Sequence, residues 1–600
     1  MIVPMKVVTL LVRAEESEFA LSSLRELGVM QISGNGVSAS SDTQHQEETV
    51  AAERLALAEL ERVASPEYDR FDENASGQET LNRAALCAEA MASARSELST
   101  VEQRLRELAP WGDFDSELLK SLTGRGINIT LCAGSEREFQ ECAELPEVAV
   151  VKISVAKKQV FFALVATEGV ELPEELPLFR LAGDEDPRRL NRRREELKSR
   201  LEELDAEMRE LLPGLKAARR RVAESEAELE FSRARDAYDD HEAVVSLRGF
   251  VPVPEIDRLR AAARQHGWGL LILDPEENEM VPVLLKDNRF TRIIKPLFDF
   301  LGIVPGYHEL DVKGAVLIFF TIFYAMIIGD AGYGVLFLLV GWIAGRKLRN
   351  RPAARPALRL FMILSVATVI WGALSGSWFG LEKIPGTNLG FPGLPCLVDV
   401  SESVRQANIQ IFCFLLAAVQ LSSGHLWKTF QGRALRPKLA NIGWILVLWG
   451  NFILTVRIIP LPGEFPVYMY WLYGVGILLV IIGGVNWKDP ADVFQFPFSI
   501  INSFTDVLSY IRLFAVGMAG SCIASSFNSM AFDICRSAWF YIPFGVVIIL
   551  CGHGLNIALG FMSVLVHGVR LNTLEFSNHS GLTWSGQNFK PFRDNLNSKE

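Results

Sequence analysis

No GxxxxGK[ST] run and no glycine-rich phosphate loop occur in the 600 residues, which argues against a P-loop nucleotide site in this chain. The eight cysteines (87, 132, 142, 396, 413, 522, 535 and 551) form no CxxC and no Cys/His ligand spacing, so no metal and no cofactor are expected. Cys396 and Cys535 fall in segments expected on the outer side of a membrane, but nothing in the sequence pairs them as a disulfide. The basic stretch from Arg188 to Arg200 alternates with glutamate, as a solvated coiled-coil face does, and the net charge is -11; no nucleic-acid partner is expected. The start, MIVPMKVVTLLVRAEESEFA, reads as a strand with charge close behind rather than a signal peptide. A large front domain without an export signal is expected to stay cytoplasmic.

What is present is a chain in two compositional halves. Residues 1 to about 290 are charged and helix-prone, whereas residues 314 to about 570 are a succession of apolar runs. In the front half MKVVTLLVR alternates as a strand, a helix ends at Gly28, and VMQISG reads as a second strand. A long helical pattern over 43–108 is interrupted at 65–78, and 127–180 alternates strand-like runs with a helical piece. A second long helix is expected over 187–238. There Leu190, Leu197, Leu204 and Leu211 recur every seven residues, and Leu201, Met208, Leu215, Val222 and Leu229 form a second row offset by four. Two rows at 3 and 4 spacing make a coiled-coil seam, kinked at Pro213. The predicted architecture is mainly α: a cytoplasmic antiparallel coiled-coil hairpin with small α/β modules over 1–290, of which 241–275 is a second globular piece. A linker over 291–313 and a polytopic membrane domain of about eight helical segments over 314–576 follow, then a cytoplasmic tail over 577–600.

Loop charge orients the membrane half. Arg346, Lys347, Arg349, Arg351, Arg355 and Arg359 mark one cytoplasmic loop, and Lys428, Arg433, Arg436 and Lys438 another. Residues 381–405 and the loop from Pro460 to Pro466 go outside, which leaves both termini cytoplasmic in the cell membrane. The run 314–345, broken by GDAGYG, is counted as two segments that enter and return. The last two runs, 498–531 and 537–569, would each span about 50 Å against a hydrocarbon core of about 30 Å, so they must tilt or kink. A steeply tilted pair suits the curved side of a partner better than a lipid anchor.

Charge inside these runs carries the functional reading. Arg512 lies deep in 498–531, where a guanidinium costs several kcal/mol and cannot lose its proton. It reads either as a structural salt bridge or as a fixed charge met by a mobile anion. Ser509 shares its face at i−3, whereas Asp506 is six residues away and awkwardly placed for pairing. Arg570 reads as an interfacial anchor or as part of a polar path with His567 at i−3 and His553 fourteen residues earlier; Glu575 follows just outside the run. Asp330 in GDAGYG reads as a turn residue or an ion-path residue, and His425 as an interfacial side chain or an ion-path residue. Gly517 and Gly520 permit close approach of another helix.

In order along the chain, MIVPMKVVTLLV, PVLLKDNRF, GYHELD, FYAMIIGDAGYG, SGSWFG, DVLSYIRLFAVGMA and HGVRLNTLEF resemble subunit I of bacterial and archaeal V/A-type ATPases, the counterpart of eukaryotic V-ATPase subunit a. The resemblance spans the whole chain. It implies that Arg512 matches the family's essential arginine, Arg570 its second arginine and His567 the histidine preceding that one. Where eukaryotic relatives carry a glutamate seven residues before this histidine, Gly560 stands here, with His553 or Asp506 as candidates to substitute.

The implied role is a non-catalytic stator subunit of the membrane sector of a rotary ATPase, supplying half-channels for H⁺ or Na⁺. The implied partners are a proteolipid c/K ring, peripheral-stalk E/G-type subunits, a nearby central-stalk d/C-type subunit and the lipid bilayer. A secondary transporter would instead show repeated halves and broken helices near the midplane, and no repeat is visible. A passive tether would explain the arm but not the buried charge.

Overall fold

The computed structural model describes every residue except 1, 34–39, 65–67, 69–70, 73, 113, 115, 145–147, 157–158, 168–186, 242, 277–278, 310, 350, 352–353, 382–390, 432–433, 486, 538 and 594–600. Parts of the expected interruption at 65–78, of the α/β module, of the outer loop 381–405 and of the tail therefore lie outside the described residues, as does Arg433. The chain forms two compact units, Met1–Thr9 with Gly249–Pro591 and Leu10–Arg248 with Phe592–Glu600. The division falls within strands β1 (Met5–Arg13) and β7 (Val244–Pro252).

The unit built on Leu10–Arg248 is a helical hairpin. Helix α1 (Ser17–Leu27) stops at Gly28, whose φ of 61° suits a residue without a Cβ, and β2 (Gln31–Ile32) follows. Ser40 and Ser76 cap α2 (Ser41–Val63) and α3 (Gly77–Leu108) by accepting from Thr43 N and Glu79 N. After α4 (Ser116–Thr123) come β3 (Ile127–Gly134), α5 (Glu136–Ala143), β4 (Val148–Ala156) and β5 (Gln159–Thr167). The three strands form an antiparallel sheet of order β3-β5-β4. Cys132 is enclosed beneath this sheet, and burial pushes its thiol up to about 11.

The return helix runs as α6 (Pro187–Glu210) and α7 (Leu215–Asp236), parted by a 3₁₀ turn at Leu212–Gly214 that holds Pro213. α6 packs on α3 and α7 on α2. The two heptad rows supply the seam: Leu204, Met208, Leu211, Leu215 and Val222 are buried with Ala56, Leu60, Leu81 and Met91. α3 and α7 approach closely at Gly77, where a Cβ would stand 2.4 Å from the Ala217 carbonyl oxygen. β6 (Asp239–His241) then pairs with β7.

The second unit opens with α8 (Ile256–His266), β8 (Gly269–Leu273), which pairs with β1, and α9 (Thr291–Leu301). The stretch expected as a linker thus carries a helix, whose Ile294 and Phe298 enter the core of the membrane helices. Lys313 begins α10 (Lys313–Ile328) in a buried ion pair with Asp287 at 2.6 Å. α11 (Ala331–Lys347) follows a break and is bent 119° from α10. Each arm is only about 25 Å long, shorter than a bilayer core.

Six more helical runs are long and apolar enough to cross a membrane. These are α12 (Arg355–Ser375), then, after the short α13 (Pro395–Val398), α14 (Glu402–Gln431), α15 (Leu435–Ile458) and α16 (Val467–Gly484). Two longer runs complete the set among the described residues: Pro490–Arg536, containing α17 (Pro490–Leu508) and α18 (Ile511–Ser537), and Trp539–Ser580, containing α19 (Ile542–Ser563) and α20 (Phe576–Ser580). With the bent pair taken as one span they make seven, one fewer than the eight expected, and the last two are the long ones, as expected. The described part of the tail returns to this unit: Ser585 and Asn588 bridge in parallel to Val304 and Val283.

Glycines decide where these helices touch. A Cβ at Gly372 would stand 2.0 Å from the Ala331 nitrogen, a contact that only glycine allows and that seats α12 against the α10–α11 break. Gly372→Leu is expected to destabilise the membrane unit by about 3 kcal/mol or to prevent its accumulation. Gly474→Ala, where a Cβ meets nothing within 4 Å, is expected to be neutral. Thermal unfolding and yield of the two variants check this directly.

Candidate functional site

The site forms where the two long runs are least regular. Between α17 and α18 the ladder tightens at Ser509–Tyr510, where Arg512 N donates to Ser509 O and Leu513 N to Tyr510 O. Tyr510 anchors this break: its ring is fully buried and its hydroxyl donates to Gln420 Oε1 at 2.7 Å. Gln420 Nε2 continues to Asn572 Oδ1 at 3.0 Å. In the other run the backbone widens into two π turns, Val564–Gly568 and Leu571–Glu575, on either side of Arg570.

Three charged side chains meet there. Arg512 Nη2 donates to Ser509 Oγ at 2.8 Å and to Glu575 Oε1 at 3.4 Å, and Arg570 Nε lies 3.4 Å from the same oxygen. The Glu575 side chain is 4% exposed and that of Arg570 51%. Two guanidinium groups share one carboxylate, so the cluster keeps one positive charge in excess. Arg512 Nη1, Glu575 Oε2 and His567 Nδ1 are buried without a hydrogen-bond partner among the described residues.

Glu575 was expected just outside the run. It is instead enclosed, because the helix continues to Ser580 and packs against α14. His567 lies beside both arginines, close enough for their charges to act on its ring.

The expected stripe of His553, His567 and Arg570 does not form. A spacing of fourteen residues returns to one face only at 3.6 residues per turn, and the π turn at Val564–Gly568 breaks that count. His553 sits elsewhere, with Nδ1 2.6 Å from Tyr333 Oη and Nε2 3.1 Å from Asn528 Oδ1. Asn556 donates to Tyr333 Oη and to the Gly520 carbonyl, both at 3.0 Å. Gly517 lies against the Met326 carbonyl, so both glycines accept a neighbouring helix. At Gly560 a Cβ would stand 2.9 Å from Ile328 Cδ1, the far end of a side chain that can turn aside.

Asp330 caps α11 and is saturated by donors. Its Oδ1 accepts from Tyr333 N (3.2 Å) and Phe379 N (2.8 Å), and its Oδ2 from Ser377 Oγ (2.9 Å) and Gly380 N (2.8 Å). Those bonds hold a loop in which Phe379 and Gly380 have φ of 51° and 70°.

His425 is buried rather than extended to solvent, bonded to Asn441 and to His579. His579 in turn reaches Asp506 Oδ2 at 3.0 Å, so Asp506 pairs with this histidine and not with Arg512. Sequence reading missed His579 because the apolar pattern ends before it; its position four residues after Glu575, on one helical face, was the available signal.

Two cavities approach the arginine from opposite ends of the α17–α18 run. One, of about 740 Å³, is lined by His425, Lys428, Asn441, Ser503, Asp506 and His579. The other, of about 300 Å³, is lined by Ser377, Glu402, Arg405, Leu513, Gly517 and Ser521. No group of three or more His, Cys, Asp or Glu side chains suited to a metal occurs among the described residues, and all eight cysteines, Cys396 and Cys535 included, are free.

A helical hairpin followed by apolar helices of membrane-crossing length, on which two arginines meet one buried glutamate, defines the class of a polytopic membrane subunit. No family model matches the chain. It is 32% identical to V-type ATP synthase subunit I 1 of Treponema pallidum, over 99% of this chain and 100% of that one. It is 32% identical to V-type ATP synthase subunit I of Borreliella burgdorferi, over 81% and 82%. With A-type ATP synthase subunit I of Pyrococcus abyssi it shares 26% identity over 58% and 54%. A crystal structure of the cytoplasmic N-terminal domain of subunit I, homolog of subunit a, of V-ATPase aligns with 44% of this chain and 99% of that domain, at 13% identity and a TM-score of 0.23. The chain belongs to the V-type ATP synthase subunit I family, the membrane subunits of rotary ATPases.

Removing the Asp330 carboxylate leaves four donors without their acceptor, each costing about 1–3 kcal/mol when buried. Asp330→Ala is therefore expected to lower the yield and thermal stability of the membrane unit. Normal stability with lost transport would mean that the carboxylate carries ions instead of holding the loop.

Proposed function

We propose that this chain is the stator subunit that carries ions past a rotating proteolipid ring and couples H⁺ or Na⁺ flow to ATP synthesis or hydrolysis. The observation that carries the reading is the excess positive charge at Arg512, between two cavities that approach it from opposite ends. Two partly exposed guanidinium groups that share one buried carboxylate, with one charge unmatched, favour an anion brought from outside the chain. A carboxylate on the ring fits that need: beside Arg512 and Arg570 its ionised form is stabilised, and it releases its ion into one cavity. The bare carboxylate passes the arginines and reloads from the other cavity. The fixed positive charge also repels cations that would leak directly between the two.

Loop charge orients the path. The larger cavity opens beside Lys428 and Pro437, next to the basic loop that retains Arg436 and Lys438, and so faces the cytoplasm. The smaller one opens by Glu402 and Arg405 on the outer side. The N-terminal hairpin then stands in the cytoplasm, where it joins peripheral stalks of E/G type beside the central-stalk d/C-type subunit, and both termini share that side.

Arg512→Ala is expected to abolish ion-driven ATP synthesis while the complex still co-purifies. In a cysteine-free background, single cysteines around Arg512 should cross-link to cysteines beside the ring carboxylate, in a pattern that follows rotation. Normal synthesis by the variant, or cross-links confined to this chain's own helices, would overturn the assignment.

A further inference from the structure

We infer that α9 and the loop between α11 and α12 form a binding surface for anionic phospholipid, with the headgroup phosphate held by Arg346 and Arg359. The surface requires only that the helices cross a bilayer, and it stands whether or not ions pass Arg512. From Ala331 to Leu381 the sequence holds no aspartate or glutamate. Six cations gather in that interval, Arg346, Lys347, Arg349, Arg351, Arg355 and Arg359, and all six are exposed. None of the six is paired with a carboxylate among the described residues, and Arg355 Nη2 donates instead to the Arg349 carbonyl at 3.3 Å.

A basic loop alone would only orient the hairpin. What marks a lipid site is where two of the cations stand. On α11, Val335, Leu339 and Trp342 are exposed, and Arg346 completes the spacing i, i+4, i+7 and i+11, so that an apolar stripe ends in a guanidinium. On α12, Arg359 heads a matching stripe through the exposed Met362, Val366 and Ile370. Arg346 stacks over the Trp342 ring, 3.8 Å from its centroid, which holds the charge at the end of its stripe. The two helices meet at Gly341, where a Cβ would stand 3.2 Å from Phe361 Cδ1. At a rise of 1.5 Å per residue, Arg346 lies about 7.5 Å and Arg359 about 3 Å beyond that contact, both toward the loop. Acyl chains lying along the two stripes therefore bring their phosphate to a level that both arginines reach.

α9 supplies a second signal at the same end. It leads into the start of α10, and its Ile294 and Phe298 enter the core that holds Leu360 and Leu364 of α12. Its other side exposes Arg292 and Lys295, with Arg289 just before the helix. Phe290 and Phe300 are nevertheless 65% and 72% exposed. Cations beside bare phenyl rings fit the headgroup layer, where the rings reach acyl chains and the cations meet phosphate. Nearby acids do not cancel this charge: Asp287 is paired with Lys313, and Asp299 is the one carboxylate on α9. An acidic protein segment would answer the cations but leave the stripes and rings bare, which favours a lipid that carries both parts.

The test uses the assembled complex in phosphatidylcholine vesicles that carry a small amount of a photoactivatable lipid. A phosphatidylglycerol probe is expected to label α9, α11 and α12 roughly tenfold more than a phosphatidylcholine probe with the same chains. Each of Arg346→Gln and Arg359→Gln is expected to lower that preference roughly fivefold, the effect of about 1 kcal/mol for one cation at a membrane surface. Both side chains are exposed, and each variant keeps five of the six cations, so fold and orientation are retained. Arg436→Gln, in the other basic loop, is expected to leave labelling of these three helices unchanged. Equal labelling by the two lipids, or a preference that survives both substitutions, would overturn the site. So would loss of phosphatidylglycerol labelling on adding inorganic phosphate at matched concentration, the sign of a site for the free anion. Absence of label from either lipid would show this face covered by another subunit and would overturn it as well.

Discussion

One carboxylate shared by two guanidinium groups organises the membrane unit. Glu575 is almost fully enclosed, and its Oε1 faces both Arg512 and Arg570. Three charges at such depth are tolerated only when they answer one another, and here they do so incompletely. The surrounding irregularities serve that arrangement. The tightened turn at Ser509–Tyr510 aims Arg512 across to the last run, and the π turns bring Arg570 and Glu575 to meet it. The buried Tyr510–Gln420–Asn572 chain ties both irregular segments to α14, so neither can relax alone.

The two flanking polar regions differ in chemistry. Around Asp330 the carboxylate is filled by four donors from its own loop and helix, and it has no capacity left for an ion. Around Asp506 the carboxylate meets one imidazole and borders a large cavity. The two aspartates thus differ in what donates to them.

Much of the architecture was legible in the sequence. Heptad rows through Leu204, Met208 and Leu215 exposed the coiled coil because a seam demands a fixed period, and the strands of the small sheet showed in their alternation. Run length gave the membrane helices and the need for the last two to bend. The site was legible in part. Arg512, Ser509, Arg570 and Glu575 stand out because charge in an apolar run is costly, whatever it touches. Their partners did not, since which helix faces which is a property of packing. His553 was misassigned to the arginine stripe because π turns leave no mark in composition. His579 and Gln420 escaped notice because one lies past the apolar run and the other is uncharged.

The π turns have a further consequence. An i→i+5 turn is a poorer backbone arrangement than the α-helix it interrupts. Residues 564–575 would be more regular two residues shorter, one for each π turn. Losing the first of them would carry Arg570 about 100° away from its present face. The segment therefore keeps a local irregularity that sets where a side chain points, so a one-residue deletion here would re-aim Arg570 without changing any residue type.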